Sequence, residues 1–146
     1  MSLFGGMRIS ASALSVERLR MNVIAENIAN AETTRTVEGG PYRRKQVIVA
    51  QAAGGDEPDR SVGRTGDAQT RGGVQAVGVV QDQSPDRLLF DPSNPDAKAA
   101  GYVRMPNIDL PLEMVDLMTA TRAYEVNATA FATQKQTQER TLELLA

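Results

Sequence analysis

The chain has 146 residues, enough for one ordinary domain, but aromatics make up only 4% of it and tryptophan is absent, so few side chains bring the buried area that anchors a compact core. With no histidine and no cysteine it lacks the commonest general base, the commonest metal ligand, a thiolate nucleophile and any disulfide framework, and no cofactor or metal is expected. A formal net charge of -2 argues against general affinity for nucleic acid or for anionic membrane surfaces.

Residues 1–7 hold no basic n-region and no secretory apolar run, and nowhere do about 18 apolar residues follow one another. The expectation is therefore neither a cleaved signal nor direct membrane insertion. Ten of the twelve glycines and six of the seven prolines lie between Ala31 and Ile108, which divides the chain into three parts. Residues 1–30 read as an N-terminal assembly helix, 31–108 as a small β-rich domain with mobile loops, and 109–146 as a long C-terminal assembly helix. The fold class is α+β.

In the first part, no glycine or proline occurs from Arg8 to Asn30, and apolar residues recur in two rows, Met7, Leu14, Met21, Ile28 and Ile9, Val16, Val23. Only a narrow sector of Ser15, Arg18, Asn22 and Glu26 is left polar. Two apolar faces on one helix imply several neighbouring helices. Asn22, Asn27 and Asn30 interrupt this pattern although asparagine is a poor helix former. On a solvated face they need no partner; in a packed bundle each amide can donate and accept across an interface and so fix register.

The middle part predicts strands at 42–50, 74–81 and 87–90 among turns marked by Gly39-Gly40, Gly54-Gly55 and Gly72-Gly73. Residues 52–70 are low in apolar content and are expected to be mobile. In the last part Asp109 is the expected N-cap and Pro111 suits the first turn, after which nothing breaks a helix to the chain end. A heptad seam runs through Met114, Leu117, Thr121, Tyr124, Ala128, Phe131, Lys135, Gln138, Leu142 and Leu145, with small residues suited to close helix approach.

Carboxylates are the only remaining acid–base groups. Glu113 and Asp116 share a helix face, but acids in an opening turn complement the helix dipole, and Glu139 with Glu143 reads as a solvated face. Arg43, Arg44 and Lys45 form the one basic cluster, without the aromatic interleaving that nucleic-acid binding needs, and read as a charge-guarded strand edge or a subunit salt bridge. Residues 63–73 are glycine-rich but lack a phosphate-loop pattern.

Residues 14–33 (LSVERLRMNVIAENIANAET) resemble the N-terminal signature of the flagellar axial proteins, the family of rod and hook subunits. The resemblance extends to Gly40–Val47, Gly101–Asn107, Glu113–Val115 and Thr121–Asn127. It departs at Thr33-Thr34-Arg35-Thr36, where axial proteins often carry a Thr-Pro-Gly-aromatic turn, and over residues 52–70. The resemblance implies a structural, non-enzymatic subunit of the basal-body rod, its long terminal helices forming a coiled-coil-like pair within a tubular assembly and a small β domain inserted between them. It further implies export without a cleaved signal and a rod location that spans the periplasm. Implied partners are copies of the chain, other rod proteins and the junction with the basal-body ring and export gate. Carried over by resemblance as assembly positions are Asn22, Asn27, Asn30, Arg122, Tyr124 and Asn127; the apolar rows add Leu14, Ile28, Leu117 and Phe131. The alternative is a soluble helical protein that binds a partner or regulates export.

Overall fold

In the computed structural model, residues 3–52, 72–98 and 100–144 are described. The expected mobile stretch at 52–70 lies, from residue 53 onward, outside them, as does Leu145 of the expected seam. Helix α1 spans Leu3–Ala29 and helix α2 Leu110–Glu143, about 50 Å at 1.5 Å per residue. Between them lie four strands, β1 Lys45–Gln51, β2 Val74–Gln81, β3 Arg87–Phe90 and β4 Tyr102–Met105. The architecture is α+β, as the sequence predicts.

α1 begins before Arg8, running through Gly5 and Gly6 although glycine costs a helix interior about 1 kcal/mol relative to alanine. The reason is close approach. A Cβ on Gly6 would lie 2.7 Å from Nε2 of Gln134 on α2. At the other end of the pair Asn27 meets Glu113, and midway the Thr121 hydroxyl reaches the Met21 sulfur at 3.6 Å. The helices are thus antiparallel and in step, both advancing 21 residues between the two end contacts.

The two apolar rows of α1 are both used, and the polar sector of Ser15, Arg18, Asn22 and Glu26 is exposed as expected. The expectation that other helices cover both rows is corrected. The row containing Met21 faces α2, but the second faces the antiparallel β1–β2 hairpin of the same chain. There Ile9 touches the Gly72 backbone, the Ser12 hydroxyl accepts from the Val74 N–H at 3.1 Å, and Val23 lies beside Val79 and Val80. A hairpin buries a helix face as well as a helix does, because its own backbone groups are already paired.

The α2 seam is also shifted. Its inward positions are Glu113, Leu117, Ala120, Tyr124, Asn127, Phe131, Gln134 and Gln138, at alternating steps of four and three. The row through Leu117, Tyr124, Phe131 and Gln138 is the expected one; of its expected companion, Thr121 and Ala128 are half-buried and Thr121 meets Met21, but the fully buried positions, Glu113 and Ala120, lie one residue earlier. Ala120 is wholly buried, while Met114, Lys135 and Leu142 of the expected seam are exposed.

β2 and β3 occupy the expected residues. β1 starts at Lys45 rather than Tyr42, because residues 42–44 bridge to both helices instead of pairing with β2. The fourth strand, β4, pairs with β3 in a separate two-stranded sheet and turns Val103 and Met105 inward. One module was expected; two sheets are present. Asp109 is the N-cap of α2 with extended backbone (φ -101°), though its side chain makes no capping bond.

Candidate assembly site

Three elements meet at Asn27, near the C-terminal end of α1. It lies there because α1 carries it inward between β1 and the first turn of α2, and it is 1% exposed. Its Nδ2 donates to the Lys45 carbonyl at 2.9 Å and to Oε2 of Glu113 at 3.1 Å. Its Oδ1 accepts from the Lys45 N–H at 2.9 Å and from the Tyr42 hydroxyl at 3.2 Å. All four hydrogen-bonding sites of one buried amide are used, so the poor helix former at this position is a requirement of tertiary structure.

Around it lies a ring of charge. Arg44 donates from Nε to Oε1 of Glu113 at 2.5 Å and reaches Asp116 at 3.4 Å, while Lys45 pairs with Glu26 at 2.5 Å. Glu113 is completely buried and would be untenable as an ion without these partners. The Arg44 N–H donates to Oδ1 of Asn107 at 3.2 Å, which ties the entry to α2 into the same group. Burial first, then the neighbouring Glu26 carboxylate, pushes the Tyr42 phenol up to about 12, so it stays a donor through the neutral range. A polar cleft of about 300 Å³ opens beside these residues, flanked by Arg20 and Gln46.

This arrangement binds elements together. No group of His, Cys, Asp and Glu among the described residues has the geometry to hold a metal. The basic cluster read as a strand edge or subunit salt bridge closes its pairs within the chain, through Arg44 and Lys45. Glu113, read as a dipole complement, is the buried partner of Arg44. The sequence signal for Tyr42 and Asn107 is a lone basic cluster, Arg43 to Lys45, in a chain whose C-terminal helix carries two acids, Glu113 and Asp116, on one face near its start.

The expected assembly residues separate into three groups. Asn27 works inside the chain. Leu14, Ile28, Leu117, Tyr124 and Phe131 are half-buried, and the amides of Asn30 and Asn127 donate to their own helix at Glu26 O (2.9 Å) and Ala123 O (2.8 Å). Asn22 and Arg122 are exposed, and their side chains make no hydrogen bond within the described residues. Asn27, expected to act between molecules, has its amide saturated within its own fold.

Apolar exposure is extensive. Among the described residues eight hydrophobic side chains are buried, whereas 18 large ones are exposed, including Leu88, Leu89 and Phe90 of β3 and Leu112, Val115, Met118 and Val126 of α2. No described helix is long and apolar enough to cross a membrane.

Two family models match the chain, "Flagella basal body rod protein" over residues 7–35 and "Flagellar basal body rod FlgEFG protein C-terminal" over residues 99–144. The matched segments contain most of α1 and all of α2. The chain is 42% identical to the flagellar basal-body rod protein FlgC of Yersinia enterocolitica, over 99% of this chain and 98% of that one. It is 39% identical to FlgC of Salmonella typhimurium, over 99% and 98%, and 38% identical to FlgC of Bacillus subtilis, over 99% of each. With half-exposed helices closed on one another at a saturated clamp, and with full-length likeness to these proteins, the chain belongs to the FlgC family of flagellar basal-body rod proteins, structural subunits of the bacterial flagellar rod.

Proposed function

We propose that the chain self-assembles through its terminal helices, with copies of itself and with other rod proteins, into the shaft that transmits motor torque. Residues 1–30 and 109–146 act as assembly segments, and the intervening 31–108 forms a small β-rich domain. The observation that carries this reading is the excess of exposed over buried large apolar side chains, the kind of surface that marks a contact with other molecules. Neighbouring subunits cover it. Many modest interfaces repeated around an axis give stiffness without any one strong contact.

The Asn27 clamp serves this role by fixing the β hairpin to the helix pair, so that load applied to either is passed to both. Leu14, Ile28, Leu117, Tyr124 and Phe131 hold the pair together, and Asn22, Asn30, Arg122 and Asn127 are available where neighbours meet it. The role is structural rather than catalytic. Export without a cleaved signal, a position in the periplasm-spanning rod, and a junction with the basal-body ring and export gate complete the reading. Its test is mass spectrometry and immunolabelling of purified basal bodies from cells carrying this chain. Stoichiometric presence in the rod is expected; a chain found only as a soluble complex with one partner would favour an export-regulating role instead.

A further inference from the structure

The outward faces of the two helices complement one another in size, charge and spacing. On α1 one exposed row from residue 11 onward is Ala11, Ser15, Arg18, Asn22, Ala25 and Ala29, at alternating steps of four and three, with exposed Glu26, paired to Lys45, beside it. On α2 the exposed positions Val115, Met118, Arg122, Glu125, Thr129 and Ala132 step by three and four. The α2 row is large and apolar at its N-terminal end, where Val115 is 52% and Met118 56% exposed. The α1 row is smallest at its C-terminal end. Near the middle lie charges without an ion pair among the described residues, Arg18 on α1 and, on α2, Glu125 with Arg122 one turn before it.

From these faces we infer that the outer face of α2 docks on the outer face of α1 of a second copy, antiparallel, with Arg18 opposite Glu125 and Ala25 opposite Met118. The direction follows from symmetry. Copies related by rotation about an axis parallel to the helices keep α1 and α2 in opposite senses, so α2 of one meets α1 of the next antiparallel, as it does within the chain. Setting Arg18 against Glu125 then fixes the remaining pairs with no free choice. Ala29 meets Val115, Ala25 meets Met118, and Asn22 meets Arg122. Each large side chain falls on an alanine, and the two exposed polar residues that have no partner in their own chain fall on each other. This register differs by only about three residues from that of the internal pair, where Asn27 meets Glu113, so neighbouring copies stand almost level.

The occupant is a second copy because both halves of the match, including the opposite unpaired charges, are on one chain. The contact is heterologous: every copy presents one face and receives the other, and so it propagates into a ring or a helix rather than stopping at a dimer. The inference rests on the rod-subunit reading for its setting, but it fails or survives separately. A chain present in basal bodies without the contact keeps that reading and loses this one; the contact in a chain absent from basal bodies does the reverse.

The chain has no native cysteine, so introduced thiols report contacts directly. Purified full-length Ala25→Cys and Met118→Cys proteins, concentrated into the millimolar range and oxidised, are expected to give disulfide-linked pairs only when mixed, and the double variant a ladder. Linkage of Met118→Cys to itself as fast as to its mate would indicate a two-fold α2–α2 contact and overturn the proposal, as would no linkage in any sample. In basal bodies, linkage of the double variant only to a different rod protein would also overturn it. Arg18→Glu or Glu125→Arg alone should slow linkage about two- to fivefold, the range for an exposed pair, and the double reversal should restore it. Both sites are exposed, so circular dichroism should show unchanged folding. Failure of the double reversal to restore the rate would refute the register.

Discussion

Asn27 and Lys45 are joined by two hydrogen bonds, the side-chain amide of one reading the backbone N–H and carbonyl of the other at 2.9 Å each. A helix side chain thus pairs with the first residue of β1 as a neighbouring strand would.

Asn27→Leu strands the Lys45 backbone groups, the Tyr42 hydroxyl and one Glu113 oxygen together, at about 1–3 kcal/mol for each buried group left unpaired. A loss of at least about 3 kcal/mol is expected in urea unfolding of the isolated chain. A loss under about 1 kcal/mol would mean that the clamp does not hold the hairpin.

Arg44→Met and Glu113→Gln should each be strongly destabilising, by about 3–5 kcal/mol, because each leaves a buried charge or its partner uncompensated. The double variant should lose much less than the sum. A double-mutant cycle measured by denaturant unfolding checks this, and additive losses would show that the two residues do not interact.

The Tyr42 phenol is raised from 10.0 to about 12 by burial and then by Glu26. Folding therefore favours its protonated form, and the stability this confers is complete below pH 10 and lost as pH rises toward 12. Unfolding midpoints measured from pH 8 to 12 should fall across that window, and Tyr42→Phe should flatten the fall at the cost of one hydrogen bond. An unchanged alkaline slope in Tyr42→Phe would place the titration elsewhere.

The shifted seam separates two neighbouring substitutions. Ala120→Leu enlarges a side chain with no exposed surface and should cost about 1–3 kcal/mol through overpacking. Met114→Ala removes an exposed side chain and should leave the isolated chain within about 0.5 kcal/mol of the parent. Thermal melts that reversed this order would restore the seam read from apolar periodicity.

That periodicity shows both what the sequence discloses and where it misleads. α1 and α2 are legible because no glycine or proline interrupts residues 8–30 or 112–146, and β2 and β3 because Gly72-Gly73, Pro85 and Pro92 flank them. The companion row of the α2 seam is not, since its inward positions include buried Glu113 and half-buried Asn127 and Gln134 while apolar Met114 faces outward. Reading apolar residues as inward assumes that the chain buries them itself, which a subunit completed by neighbours has no need to do. β4 escaped because four residues between Gly101 and Pro106 are too few to display alternation. Asn27 was noticed as anomalous, but its partners lie 15 to 86 residues away, and no local pattern joins them.

In an assembled rod, neighbouring subunits should cover the exposed apolar faces of this chain, and a single-particle cryo-EM map of basal bodies isolated from cells carrying it would show whether they do. Density for α1 and α2 is expected lengthwise in the rod, with Val115, Met118 and Val126 buried against adjacent helices. A rod without this chain, or one in which those three side chains face open solvent, would contradict this expectation.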